Sequence, residues 1–280
     1  MNLRSSFALL PLLCLCLCLC LASPSLGDDL IVDGGFEAGT GDPPNNPNWT
    51  ESSTNFGSPI CERGNPELAT CDPEPDIPAI AARSGTWFTW FGGLKAGQNG
   101  TSPEIGSVGQ SVAIPPDGGG GTSSATLRFF VKNPVCSDDP DDALDALEVK
   151  VAGVVEYSTG VGDPSCGNPN YREEIVDLAP YIGQTVTLAF EGGFNGDKVT
   201  NILVDDVALY SCQYPANVVV ANETITGTDT RRGCLTLTAG PAVVIADQAV
   251  VVFEAPLSVT LGDGFSVESG GQLTIRTASE

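Results

Sequence analysis

From Asp28 to about Tyr214 the chain consists of short runs in which apolar and polar residues alternate, each cut off by a cluster of Gly, Pro, Asn or Asp. Alternation with period two puts successive side chains on opposite faces of a strand, whereas a helix needs an apolar residue at every third or fourth position, and that pattern is nearly absent. With 33 Gly and 21 Pro in 280 residues, the turns such a chain needs are supplied throughout. The class is all-β, and residues 28–214 are expected to form an antiparallel jelly-roll β-sandwich with ample length for one packed core. Expected strands are Leu30–Val32, Trp87–Phe91, Gly106–Ile114, Ala125–Lys132, Ala146–Val151, Val154–Ser158, Arg172–Asp177, Thr185–Glu191 and Asn201–Tyr210, with a tight connection at Leu178–Gly183. After Tyr214 the texture changes to β-rich pieces spaced about eight residues apart. Residues 215–280 are therefore read as a small β-roll or a short β-solenoid, against two hairpins that extend the sandwich.

Residues 1–27 read as an export signal: Arg4 precedes an apolar run from Phe7 to Ala22, and Ser25 and Gly27 are small residues ahead of Asp28. The run is 16 residues long, shorter than the roughly 20 a membrane-spanning helix needs. A secreted or cell-surface protein that does not span the membrane is expected. Cys14, Cys16, Cys18 and Cys20 would leave with the signal. The remaining Cys61, Cys71, Cys136, Cys166, Cys212 and Cys234 are an even set in an exported chain, which reads as a disulfide framework. Pairing of sequence neighbours, 61 with 71, 136 with 166 and 212 with 234, closes the smallest loops.

Without the signal the chain carries 11 basic and 35 acidic residues, a net charge of −24. Nucleic acid and anionic membrane surfaces are poor partners for that field. There is no histidine, so His-dependent catalytic triads are excluded, and nothing marks a carboxylate pair as proton donor and nucleophile. The run Asp138 to Asp142 lacks the glycine spacing of an EF-hand loop and reads as a solvated loop.

Two segments place acids inside apolar strand patterns. One is Asp33-Gly34-Gly35-Phe36-Glu37, the other Val204-Asp205-Asp206-Val207-Ala208-Leu209. Strict alternation puts Leu203, Asp205, Val207 and Leu209 on one face, so Asp205 points inward and needs a partner. Either it accepts backbone hydrogen bonds at a strand end, or it shares a cation with Glu37. Carbonyl oxygens of Asp33, Gly34 or the Ser84-Gly85 turn would complete an oxygen shell. These segments resemble the two ends of secreted jelly-roll modules, among them calcium-bearing carbohydrate-binding domains and the related MAM-like domains. The likeness covers roughly two thirds of the chain. It implies a structural Ca²⁺ tying the first and last strands through Glu37 and Asp205, with Asp206, Asp33 and Gly85 as further candidates, and it implies binding rather than catalysis.

The aromatic stretch Trp87-Phe88-Thr89-Trp90-Phe91 sends Trp87 and Phe91 to one face and Phe88 and Trp90 to the other. One face lines the core. The second is either a flat platform for stacking a sugar ring, with Trp87, Trp90 and the upstream Trp49 as candidate contacts, or is itself covered by the long segment from Ala38 to Arg83. The functional expectation is a non-catalytic module for polysaccharide or a cell-surface glycoconjugate. The alternative is a structural or adhesive protein that makes protein contacts. Exposed, coplanar tryptophans favour the first, whereas buried tryptophans with an apolar outer patch favour the second.

Overall fold

A computed structural model describes residues 28–41, 44–62, 80–92, 103–116, 124–136, 145–195 and 200–277. Residues 1–27, read above as an export signal, Cys71 and the Asp138–Asp142 run lie outside these residues. The strands of the larger unit are β1 (Asp28–Asp29), β2 (Thr50–Ser53), β3 (Ile60–Glu62), β4 (Trp87–Gly92), β5 (Glu104–Ala113), β6 (Ser124–Val135), β7 (Ala146–Val151), β8 (Val154–Gly160), β9 (Asn168–Asp177), β10 (Thr185–Phe194) and β11 (Asn201–Cys212). One sheet runs β3-β4-β11-β6-β9, with β1 also on β11; the other runs β2-β5-β10-β7-β8. All pairings are antiparallel, which makes this unit the expected β-sandwich.

Alternation explains the core. In β7 and β10 every second residue is buried, so Leu147, Val149 and Val151 meet Val186, Leu188 and Phe190. Leu127, Phe129 and Val131 from β6 face them across the sandwich, and Phe129 packs edge-on against Phe190 and Tyr157 with ring centroids 5.3 and 5.2 Å apart. A short 3-10 turn at Ala179–Tyr181 stands where the tight connection was expected. The expected strand at Leu30–Val32 is displaced to Asp28–Asp29. The short strands β2 and β3 carry no apolar alternation that would reveal them.

In β11 strict alternation fails. The pairing of β11 with β6 shifts register between Asp205 and Ala208, and Asp206 takes a positive φ of 50°. This bulge reverses the phase of the strand. Ile202 and Val204 before it, and Val207 and Leu209 after it, all reach the sandwich core, while Leu203 joins a second apolar cluster with Phe88, Trp90 and Cys61. Asp205 therefore does not share a face with Val207 and Leu209.

From Asn217 the chain winds as a stacked series of coils rather than as hairpins. Its strands are β12 (Asn217–Val220), β13 (Glu223–Ile225), β14 (Thr228–Arg232), β15 (Thr236–Ala239), β16 (Val243–Ile245), β17 (Val250–Glu254), β18 (Ser258–Leu261), β19 (Ser266–Val267) and β20 (Gln272–Arg276). They form three parallel sheets, β12-β15-β18, β13-β16-β19 and β14-β17-β20. The first step between coils is 19, 20 and 22 residues in the three sheets, Asn217 pairing with Thr236, Glu223 with Val243 and Thr228 with Val250, and the second is 22 in all three, Thr236 with Ser258, Val244 with Ser266 and Val250 with Gln272. This is a short β-solenoid. Leu237, Ala239, Val243, Ile245, Val251 and Phe253 fill its interior.

Two of the expected disulfides are present, Cys136–Cys166 and Cys212–Cys234, with Cα–Cα separations of 5.6 and 5.9 Å. The second joins the end of β11 to the turn before β15, and Ser124 Oγ beside it donates to the Tyr214 carbonyl at 2.8 Å. Cys61 is disulfide-bonded.

One ionic ladder crosses the coils. Arg232, Glu254 and Arg276 are in register on β14, β17 and β20, and Glu254, 4% exposed, accepts from Arg232 Nε at 2.5 Å and from Arg276 at 2.7 Å. Removing the acid would leave Arg232 facing a buried position without its acceptor. Glu254→Ala is expected to destabilise the solenoid by about 2 kcal/mol, the range for hydrogen bonds to charged groups. Hydrogen exchange in β14, β17 and β20 reads this directly. Unchanged protection there would show the ladder to be ornamental.

Candidate functional site

The two acid-bearing segments do meet. β1 pairs with the end of β11, Asp28 opposite Ser211 and Asp29 opposite Tyr210. Beyond it, Val207 N donates to the Gly34 carbonyl at 2.9 Å. Gly34 is required at this crossing, since a Cβ there would lie 1.7 Å from the Val207 carbonyl oxygen.

Glu37 and Asp205 grip the two ends of one turn. Glu37 Oε1 accepts from the backbone N–H groups of Thr86 and Trp87, both at 2.9 Å, and Oε2 accepts from Thr86 Oγ1 at 3.1 Å. Asp205 Oδ2 accepts from Arg83 N at 2.7 Å and Ser84 N at 3.2 Å, and Oδ1 accepts from Asp206 N at 2.8 Å. Asp206 takes the side chains of the same turn, the Arg83 guanidinium and Ser84 Oγ. Gly85, at φ +59°, lets Glu37 approach, because a Cβ would fall 2.1 Å from Oε1. Asp33 goes elsewhere: Oδ2 accepts from Ala38 N at 3.1 Å and Asn46 Nδ2 at 2.7 Å, pinning its own turn.

A calcium ion needs six to eight converging oxygens. Here the backbone N–H groups of Arg83, Ser84, Thr86, Trp87 and Asp206, with the Arg83 guanidinium, converge on Glu37, Asp205 and Asp206. Donors stand where the other ligands of a cation would be, and the arrangement does not fit a calcium shell. Among the described residues no group of three or more acidic, His or Cys side chains is arranged to hold a metal ion. Of the two ways sequence left to satisfy Asp205, backbone hydrogen bonding is the one the fold uses.

Asp205 is nevertheless unusual. It is fully buried, and burial together with the neighbouring Asp206 charge pushes its carboxyl up to about 7 against the pull of its three N–H donors. Burial with the same two acids also raises the Tyr171 hydroxyl, which donates to the Ala81 carbonyl at 3.0 Å, as does Lys132 Nζ. Ile80 and Ala82 pack on Phe88 and Trp90, so residues 80–84 form a strap over the outer face of the first sheet.

That strap decides the role of the tryptophans. Trp87 and Trp90 are each 7% exposed and Trp49 is 5% exposed. Trp87 and Trp49 lie in the sandwich core, where Phe36 packs on Trp49 at 5.0 Å, and Trp90 lies under the strap with Nε1 donating to Asn201 Oδ1 at 2.6 Å. None offers an open surface to a sugar ring. This corrects their assignment as ligand contacts, and the covered-strand alternative holds.

No protein-family model and no curated protein matches this sequence. Among solved structures, the chain is similar to TmCBM61 in complex with β-1,4-galactotriose, at 13% identity and a TM-score of 0.39 over 65% of this chain and 97% of that one. It is similar to a cyclase from Fischerella sp. TAU, at 16% identity and a TM-score of 0.40 over 66% and 97%. The K1 cleaved adhesin domain of Lys-gingipain from Porphyromonas gingivalis W83 matches at 16% identity and a TM-score of 0.39 over 62% and 94%.

Sequence reading missed the groups that border the clasp on its solvent side. A surface cleft of about 360 Å³ is lined by Asp29, Arg83, Ser84, Arg128, Asp206 and Tyr210. Arg83 and Arg128 both lie over the Phe130 ring, 3.5 and 4.8 Å from its centroid, and are ion-paired to Asp206 and Glu173 respectively. The one available signal was the scarcity of basic residues, 12 in 280. No motif joins these two, which come from the strap and from β6.

Proposed function

We propose that the chain is a secreted, non-catalytic binding module for polysaccharide or a cell-surface glycoconjugate, with the solenoid acting as a spacer or surface-association element. The observation that carries this reading is the cleft beside Arg83 and Arg128. It brings arginine, carboxylate and hydroxyl side chains into one small space, the mixture of donors and acceptors that a polyhydroxylated ligand needs. The neighbouring acids support binding over chemistry, because Glu37, Asp205 and Asp206 are engaged by the strap turn and not paired across the cleft. Export rests on the apolar segment ahead of Asp28 and on the disulfides. No helix among the described residues is long and apolar enough to cross a membrane.

A second reading has its own observation. The tryptophans are buried, while Val154, Val155 and Ile175 are 53%, 45% and 54% exposed on the edge strands β8 and β9. Such a rim suits adhesive contact with another protein. A glycan array probed with the full chain separates the two. Retention on polysaccharide spots supports the proposed function, and an array blank across neutral and acidic glycans removes it in favour of protein adhesion.

A further inference from the structure

The geometry points to an anionic saccharide, one that carries a carboxylate or sulfate on its sugar ring, as the ligand of the cleft between the strap and β6. This rests on the glycan reading above and adds its chemical class.

The cleft presents both polarities, two arginines with Asp29 and Asp206. A guanidinium has five N–H donors in a rigid fork. Arg83 donates to Asp206 and Arg128 to Glu173, and among the described residues neither guanidinium makes another hydrogen bond. Both lie over Phe130 in cation–π contact, and each is tied to its acid, so their placement is restrained before a ligand arrives. Two forks lining one cleft, each with donors unused among the described residues, suit the oxygens of a carboxylate or sulfate. In the same lining, Asp29 Oδ1 accepts from Ile31 N at 3.0 Å and Leu209 N at 2.9 Å, which fixes the carboxylate while Oδ2 makes no hydrogen bond among the described residues. That oxygen and the Tyr210 hydroxyl suit ring hydroxyls. A simple anion would satisfy the arginines and leave Asp29 opposed by like charge, and a neutral sugar would satisfy Asp29 and leave the forks open. An acidic sugar answers both.

Three of the four side chains are set by strand register. Tyr210 and Asp29 are opposite one another on β11 and β1, and Arg128 is opposite Ala208 on β6. The overall charge of the chain repels anions at long range, but that field is screened beyond about 8 Å at physiological salt, whereas fork contacts act within hydrogen-bond distance.

Titration calorimetry of the full chain with short oligogalacturonates, their carboxyl-reduced neutral counterparts and sulfated galactose oligosaccharides tests this. Expected is binding of at least one acidic series, with the neutral counterpart weaker by about ten-fold or more, the worth of a charge-assisted fork. Carboxylate and sulfate sources are told apart by which acidic arm binds. Arg128→Gln should lose about ten-fold in affinity, and Arg128→Lys should recover only part of it, because charge without the fork is insufficient. Tyr210→Phe, which leaves the ion pairs alone, gives a second reading should Arg128→Gln fold poorly, and a three-fold or so loss is expected. Equal binding of acidic and neutral arms, or an unchanged affinity in Arg128→Gln and Tyr210→Phe, overturns the acidic-ligand assignment and leaves the glycan reading intact. No binding in any arm, with a blank array, removes both.

Discussion

Gly34→Ala is expected to cost the sandwich at least about 3 kcal/mol, the upper range for overpacking where nothing can yield. The added Cβ would lie 1.7 Å from the Val207 carbonyl oxygen and 2.8 Å from its carbon, both main-chain atoms of a buried strand. No rotamer change relieves such a contact, so either the first segment or β11 must shift. A shift breaks the bond from Val207 N to the Gly34 carbonyl and with it the juxtaposition that places Glu37 at the strap turn. For a unit of this size, 3 kcal/mol corresponds to a fall in Tm of about 6–12 °C. Gly153→Ala is the matched comparison, since a Cβ there meets nothing within 4 Å and only its φ of +81° opposes the change; that cost is about 1 kcal/mol. Equal melting temperatures for the two variants would show that the crossing tolerates separation.

Asp205 sets the second large effect, a dependence of stability on pH. Its folded-state carboxyl titrates at about 7 against 3.8 for the free group. Protonation therefore favours the folded chain: this group's contribution is fully present below pH 3.8, is withdrawn as pH rises through 7, and amounts to about 4 kcal/mol in all. Asp29 and Glu51 shift the same way and Asp163 the opposite way, so the informative quantity is the difference between wild type and Asp205→Asn. Asparagine keeps an acceptor for Arg83 N and Ser84 N, and turns an amide toward Asp206 N, a cost of about 1 kcal/mol at every pH. The variant is expected to be the weaker protein near pH 4 and the stronger near pH 8, with a swing of about 4 kcal/mol in urea unfolding. A chelator is expected to leave the wild-type Tm unchanged. A bound divalent ion would require the ionised carboxylate and would reverse the swing, so a reversed sign together with a chelator-induced fall in Tm would restore calcium to the clasp.

Much of the sandwich was legible because its second sheet is wet on one face. In β7 and β10 that asymmetry writes itself as alternation, and those strands lie where the pattern put them. The first sheet is covered on both faces near β4, so the pattern there loses its contrast; sequence left open whether Trp90 faced solvent or a strap, and only the fold placed Ile80 and Ala82 over it. The β11 bulge was invisible for a different reason. Nothing in Asp205-Asp206 announces that an acid, not a glycine, takes the positive φ, yet that single residue decides which side chains enter the core. The meeting of the two acid segments was readable, and the identity of what they hold was not. A turn's N–H groups and a cation both attract carboxylates, and a sequence lists acids without showing their donors. Arg83 and Arg128 escaped notice because a cleft assembled from a loop and a distant strand leaves no spacing to find.

The 22-residue step that all three sheets share between the second and third coils gives the protein an adjustable reach. The second and third coils enter and leave at equivalent positions, so a whole 22-residue unit inserted between β17 and β18 would pair above and below without disturbing either neighbour. Strand spacing fixes the increment at about 4.8 Å per unit. Length along this axis is thus quantised, and whatever the far coil touches can be moved away from the sandwich in known strides while the cleft stays untouched.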